Sequence, residues 1–366
     1  MWRGKRMADR ICTTCVLPAG YPGIDFDANG VCSFCRDQII EKTDPDVVVQ
    51  AARECRELVE RVRGSAEYDA VLCFSGGKDS TYALKLAVEK YDLRVLAFTM
   101  DHGFLSSSTA QSIRAVVGAL EVDHVSFSPA PSVFSRIMRV SYVENLYGRA
   151  TARRISTGCQ SCISIVNNMA LKLALEKGIP LIVAGFTLGQ IPANSITYQN
   201  NYEFLRESRA RSLRMLQAHS GERILPYLTI DQQTIARVTD YPYTLNLLAA
   251  EPDLTEHRII REIRSLGWVP PQDVDGCSSN CRLNVLNNAV HEHTFGYNPY
   301  VLELSSLIRS GQLSRMEALE KISNQPHDAI AGLLDELGLT PGDAGLPADQ
   351  PTGPARDVAS SDSPSR

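Results

Sequence analysis

Apolar positions along the chain alternate between short unbroken runs and longer stretches with helical spacing. Ala70-Val71-Leu72-Cys73-Phe74 is an unbroken run, short enough for a buried strand, while Tyr82-Ala83-Leu84-Lys85-Leu86-Ala87-Val88 repeats its apolar residues at helical intervals. The same reading predicts strands at 69–74, 94–100, 123–127 and 180–184, and helices at 80–90, 107–120 and 163–177. Strand–helix alternation of this kind predicts an α/β fold, a doubly wound parallel sheet with helices on both faces. An amphipathic helix is predicted over 45–64. Residues 200–265 read as largely helical with a turn near Pro226, and 277–325 as helical again, with Ser314-Arg315-Met316-Glu317 as a capping box. From 341 onward Pro, Gly, Ala, Ser and Asp dominate, which predicts a disordered tail over 341–366. There is no internal repeat.

Between the first strand and its helix stands Ser75-Gly76-Gly77-Lys78-Asp79-Ser80. A strand feeding a Gly-rich turn and then a helix start presents free backbone N–H groups and the positive helix end, an anion-binding arrangement. Two glycines let the chain approach an anion closely. Lys78 adds a cation, and Ser75 and Ser80 add hydroxyls. The hexapeptide does not fit the Walker A pattern. Ligands of such sheets sit beyond the carboxyl ends of the strands, which draws in Asp101-His102-Gly103 and Gly185–Gln190. His102 reads equally well as a nucleotide-facing residue or an ordinary turn histidine.

Cysteine usage adds a second kind of chemistry. Cys12-x2-Cys15, sixteen intervening residues, then Cys32-x2-Cys35 has the spacing of a tetrahedral structural zinc site. A module of about 30 residues cannot bury enough core to fold alone, so the metal would supply folding energy. Cys159-x2-Cys162 precedes the helix at 163–177, and Cys277 and Cys281 lie further on. For these the residues leave three readings open: an iron–sulfur cluster on Cys159, Cys162 and one of Cys277 or Cys281, a second zinc on all four, or no metal with reduced, disulfide or persulfide sulfur. Cys55 and Cys73 read as small core residues. His291 and His293 alternate on a predicted helix, do not share a face and read as non-ligands.

Composition excludes little. The 366 residues are 44% hydrophobic and 22% charged with a net charge of −5, so no bulk basic character advertises nucleic acid, although Arg149, Arg153 and Arg154, and Arg206, Arg209, Arg211 and Arg214, form local clusters. No stretch approaches a membrane span. With no apolar run after the basic N-terminus, no signal peptide is expected, and the cysteines are expected to be reduced in a cytoplasmic protein.

Ser75–Ser80 resembles the pyrophosphate loop of the PP-loop ATP pyrophosphatases. That resemblance implies ATP and Mg2+ as cofactors, with Ser75, Gly76, Gly77, Lys78, Asp79, Ser80, Asp101 and Gly185 around the nucleotide. In that superfamily ATP is split to AMP and pyrophosphate, and AMP is placed on a substrate oxygen. Lys78 and Asp79 would then be catalytic, Asp79 as a partner of Mg2+. The N-terminal Cys-x2-Cys-Val-Leu-Pro through Pro22-Gly23-Ile24-x-Phe26-Asp27-x2-Gly30-Val31-Cys32-x2-Cys35, together with Leu307–Ala318, is similar to bacterial N-acetyl sugar amidotransferases. Cys159-x2-Cys162, the helix after it and Pro180–Gln190 resemble the tRNA thiolation enzymes of the same superfamily, whose Cys-x-x-Cys and distant third cysteine hold a 4Fe-4S cluster. Gly185-Phe186-Thr187-Leu188-Gly189-Gln190 departs from their Gly-His-x-x-Asp-Asp.

The expectation drawn from this is a zinc ribbon at 8–40, a linking helix at 41–67, a PP-loop domain at 68–200 and a helical region at 201–335. The enzyme would adenylate an oxygen of a small-molecule or RNA substrate and replace it with sulfur, Cys159 and Cys162 taking part, with a sulfur carrier as partner. The alternative is an amidotransferase using ammonia from a partner glutaminase subunit, and a non-catalytic scaffold is the third reading. A homodimer would follow the habit of the superfamily.

Overall fold

The computed structural model describes residues 10–37, 45–144, 146–187, 190–191, 195–251 and 254–348, without the side chains of 45–48, 202, 204, 205, 208, 209 and 211. In chain order come α1 (Ser33–Arg36), α2 (Pro45–Val62), β1 (Ala70–Cys73), α3 (Lys78–Lys85), β2 (Val95–Met100), α4 (Ser107–Ala119), β3 (Asp123–Phe127), α5 (Pro131–Val143), α6 (Arg149–Ala152) and α7 (Thr157–Lys177). Then follow β4 (Leu181–Ala184), β5 (Thr197–Gln199), α8 (Tyr202–Ser220), α9 (Leu225–Leu228), α10 (Gln232–Arg237), β6 (Tyr243–Asn246), α11 (Glu256–Arg264), α12 (Asn284–Phe295), α13 (Val301–Arg309), α14 (Arg315–Ser323) and α15 (Ala329–Leu337).

The six strands form one sheet in the order β3-β2-β1-β4-β6-β5. All neighbours run parallel except β5, which lies antiparallel on the edge. The chain winds outward from β1 through β2 to β3, then returns to place β4 on the other side of β1. The β1/β4 boundary is therefore the switch point at which an open sheet leaves a crevice. Alternate residues of β1 face opposite cores, as a pleated strand requires. Leu72 and Phe74 pack with Tyr82, Ala83, Ile263 and Trp268, while Val71 packs with Ala170, Leu171 and Ala174 of α7. Helices thus cover both faces, and the fold is the doubly wound α/β sheet that the alternation predicts.

Several boundaries differ from the sequence reading. α7 begins at Thr157 rather than 163, because Ser156 caps it by accepting from Cys159 N. β5 and β6 fall in or beside a region read as helical; β6 has only four residues and follows Pro242, too short for a periodic signal. The sheet therefore extends past residue 200. Residues 341–348, assigned to a disordered tail, instead form a 3-10 turn over Gly342–Ala344 with Ala344 and Leu346 buried on the α5–α15 core. The rest of that tail, 349–366, lies outside the described residues, as do 8–9 and 38–44. The capping box at Ser314 and Glu317 is formed as expected.

Asp69, one residue before β1, fixes the strand's entry. Its buried carboxylate accepts from Gly64 N, Arg94 N and the Arg94 side chain. Burial alone would raise its pKa, but these donors outweigh burial and hold the carboxyl below its usual value. A folded value below the unfolded one of about 3.9 makes the contribution present above that pH and lost as pH falls through the folded value. Asp69→Ala is expected to cost about 3 kcal/mol at neutral pH by orphaning these donors. Its stability gap from the wild type, read by urea unfolding, should close as pH falls below about 4.

Candidate functional site

Ser75–Ser80 sits where β1 ends, and α3 starts at Lys78 with Gly77 as its N-cap. Gly76 has φ +75°, and a Cβ there would stand 2.6 Å from Ile113 Cγ1, so only glycine fits. Gly185, at the end of β4, closes the other wall: a Cβ on it would meet Ser80 Cα at 3.0 Å. The loop is braced by Ser75 and Ser80, whose hydroxyls lie 3.0 Å apart, and by Trp268 Nε1 donating to Gly76 O at 3.0 Å. Six of the expected nucleotide residues and Gly185 are thus drawn together at the switch point. Asp101 follows β2, the strand beside β1, where its carboxylate accepts from Gly103 N at 2.9 Å. Of Gly185–Gln190, Leu188 and Gly189 lie outside the described residues.

Around Lys78 the structure adds to Asp79 two acids that the sequence did not single out, Glu256 and Glu303. Lys78 Nζ bonds Asp79 at 2.8 Å and lies 3.9 Å from Glu256, whose other oxygen bonds Lys321 at 2.8 Å. Burial works against the ammonium, but the two carboxylates hold its pKa above the usual range. Glu303 of α13 faces the same group and Gln190; burial pushes its carboxyl up to about 7, with Lys78 opposing the rise. No motif marks Glu256 or Glu303, since they come from helices far along the chain. Their only sequence signal is their position in otherwise amphipathic helices.

The N-terminal cysteines converge. Their ligand atoms lie within 4.8 Å of one another, with Cys12 Sγ 3.9 Å from Cys35 Sγ and Cys15 Sγ 3.7 Å from Cys32 Sγ. A tetrahedral zinc with Zn–S bonds of about 2.3 Å requires sulfurs roughly 3.8 Å apart, so the four thiols fit that metal. Cys12 Sγ also accepts from the backbone N–H groups of Thr14, Cys15 and Cys32. Burial opposes its ionisation, yet these donors bring its pKa down to about 7. Burial and negative neighbours push Cys35 up to about 12, the repulsion that a bound cation would relieve. Arg315 of α14 donates to Cys12 O and Cys15 O, and Tyr21 packs edge-on against Tyr297, so the module docks on the C-terminal helices.

The other four thiols do not form one set. Cys159 and Cys162 sit in the first two turns of α7; Cys281 and Cys159 bear electrostatically on Cys162, and Cys159 bears on Cys281. Cys277 turns away; its thiol points to Lys321 O at 3.7 Å and packs near Val16, Leu304 and Ala318. The expectation of a second zinc on all four is thereby corrected. The remaining three are not as close as the ligands of a mononuclear site, since among the described residues only the N-terminal four meet at 4.8 Å.

The trio differs in setting. Cys159 Sγ accepts from Asn287 Nδ2 at 3.2 Å and lies 3.5 Å from Asn284 Oδ1. A Cβ on Gly158 would stand 2.1 Å from Asn287 Oδ1, so glycine lets α12 approach this thiol. Asn284 and Asn287 are held in turn by Asp275, Tyr300 and Tyr142. Cys281 Sγ lies 3.7 Å from His102 Nε2. His102 Nδ1 accepts from Phe104 N, so Nε2 carries the proton and points at the thiol. The half-buried ring stacks on Phe134, and burial lowers the His102 pKa to about 4, which leaves it a neutral donor. Burial raises Cys159 to about 11 and Cys281 to about 12. These thiols stay protonated unless a cationic centre takes them as thiolates. Three half-buried, spaced thiols with amide and imidazole donors around them fit a polynuclear iron–sulfur cluster better than one zinc. His291 is buried against Phe295 and Tyr297.

Among the described residues no helix is long and apolar enough to cross a membrane. No protein-family model matches the chain. It is 21% identical over 315 residues to an uncharacterized protein of Methanocaldococcus jannaschii, covering 85% of this chain and 92% of the relative. Among solved structures it is similar to the U34-tRNA thiolase NcsA from Methanococcus maripaludis with its 4Fe-4S cluster, at 13% identity and TM-score 0.32, over 84% of this chain and 88% of that one. It is also similar to the NMN synthetase from Francisella tularensis, at 13% identity and TM-score 0.34, over 76% and 93%. Both structures superpose too loosely to carry a function to this chain, whose own sheet order and loop geometry define its fold.

Proposed function

We propose that the chain is an ATP-dependent transferase that adenylates a substrate oxygen and replaces it with sulfur. The observation that carries the reading is the Ser75–Ser80 loop at the β1/β4 switch point, an anion cradle at the start of α3. Backbone amides and Lys78 would stabilise charge on the leaving pyrophosphate as the bond from the α-phosphorus to the bridging oxygen breaks. Asp79 would hold Mg2+, which would neutralise charge on the phosphates when bound. The acceptor oxygen attacks the α-phosphorus, pyrophosphate leaves, and AMP is carried on that oxygen. A sulfur nucleophile then attacks the activated carbon and the oxygen departs with AMP.

The thiol trio supports sulfur over nitrogen. Cys159, Cys162 and Cys281 would hold the iron–sulfur cluster, which supplies an open iron for the incoming sulfide when bound. Asn287 and His102 would orient two of its ligands by donating to sulfur. A sulfur carrier would deliver the sulfur, to a small molecule or to RNA. The amidotransferase reading draws on the N-terminal four-cysteine module and its docking through Arg315, and requires a glutaminase partner. Iron and sulfide analysis of protein purified without oxygen separates the two. The sulfur reading expects brown protein with both elements, lost in Cys162→Ala. Colourless wild-type protein with zinc alone would favour nitrogen.

A further inference from the structure

The anion cradle is already occupied by the protein itself. Ser279, from the irregular segment between α11 and α12, places its Oγ 3.1 Å from Lys78 N, the first amide of α3, and accepts its hydrogen. A Cβ on Gly77 would stand 2.8 Å from that same Oγ, so the loop is shaped closely around it. Asn280 Nδ2 adds a bond to Ser75 O at 3.3 Å. An oxygen on the first free amide of a helix takes the place of a phosphate oxygen. Ser279 Oγ stands in for that oxygen here.

The segment carrying Ser279 is pinned on both sides. Gly276 N donates to Asn324 O at 2.9 Å, and a Cβ on Gly276 would meet Lys321 O at 2.5 Å. Beyond Ser279, Asn280 O accepts from Ser106 N at 2.9 Å and Arg282 N donates to Phe104 O at 2.9 Å. Between these anchors Ser278 Oγ accepts from Asn280 N and Cys281 N, a short side-chain-closed turn. Ser279 is therefore held over the cradle by its frame, and only a short stretch has to give for the hydroxyl to leave.

We propose that Ser279 is a positioning residue of the nucleotide site, a placeholder that fills the phosphate seat in the free protein and yields it to the incoming triphosphate. The proposal rests on the reading of Ser75–Ser80 as the nucleotide loop. It satisfies a helix-start amide that would otherwise lack a partner, and so keeps the loop shaped before ATP arrives. The cost is affinity, because the nucleotide binds only the fraction of molecules in which the hydroxyl has moved. After cleavage, departure of pyrophosphate lets the hydroxyl return to Lys78 N, which opposes rebinding of the product.

Two measurements test this with α,β-methylene-ATP, which the enzyme cannot split. By calorimetry, Ser279→Ala is expected to bind the analogue roughly fivefold more tightly than the wild type, the worth of one competing hydrogen bond. Equal or weaker binding by the variant would overturn the proposal while leaving the nucleotide reading intact. Absence of binding to both proteins would overturn the nucleotide reading and this proposal together. In the wild type, hydrogen exchange should slow in peptides covering 76–81 and quicken in those covering 277–283 when the analogue is added. Slowing in both would mean that Ser279 closes over the nucleotide instead of leaving, and would also overturn the proposal.

Discussion

Lys78→Ala is expected to lower pyrophosphate release from ATP by about 10²–10³-fold and to weaken ATP binding by roughly 30-fold. The side chain is a cation whose nitrogen bonds Asp79 inside the cradle, and its pKa is held high, so it is charged throughout the accessible pH range. Its loss would remove the positive charge that the proposed reaction sets against the leaving pyrophosphate. The fold should survive, because Glu256 keeps Lys321 at 2.8 Å and Asp79 is partly open to water. Lys78→Arg keeps the charge but not the compact ammonium, and should recover binding more than turnover. A Lys78→Ala protein that released pyrophosphate at the wild-type rate would remove the loop from the chemistry.

Cys12→Ser should have the largest effect on stability. Cys12 accepts three backbone N–H groups and is one corner of a four-sulfur set spaced for zinc. The module around it has few buried side chains of its own, chiefly Leu17 and Tyr21, and leans on Tyr297, Val301 and Leu302. Without metal, four packed thiols replace a closed site, and the loss is on the order of 5 kcal/mol. Zinc content should fall by one per chain, and residues 10–37 should become sensitive to protease. Nucleotide binding should persist, since the cradle lies on the sheet and not on the module. A Cys12→Ser protein with unchanged zinc content and unfolding midpoint would count against a folding metal.

The sheet strands and the cradle were legible because both are local. A bare apolar run, a Gly-Gly turn and a helical repeat lie within some twenty residues, and no distant contact is needed to read them. The Cys12–Cys35 set was legible for the same reason. β6 was not, because four residues such as Tyr243-Thr244-Leu245-Asn246 become a strand only by lying beside β4. The burial of Ala344 and Leu346 likewise depends on α5 and α15, not on the Pro- and Gly-rich composition around them.

At the site, sequence spacing suggested Cys159 and Cys162 but left Cys277 and Cys281 equivalent. They lie four positions apart in an irregular segment, and only tertiary contacts send one thiol to His102 and the other to Lys321 O. Glu303, Asn287 and Ser279 reach the site from elements more than a hundred residues away, so no motif could announce them.

The most direct test of the central claim is a crystal structure with α,β-methylene-ATP bound. The account predicts phosphate oxygens on the amides of Gly77, Lys78 and Asp79, Lys78 Nζ turned toward them, and Ser279 Oγ displaced from Lys78 N. An analogue bound elsewhere, with Ser279 still on Lys78 N and the cradle free of phosphate, would contradict it.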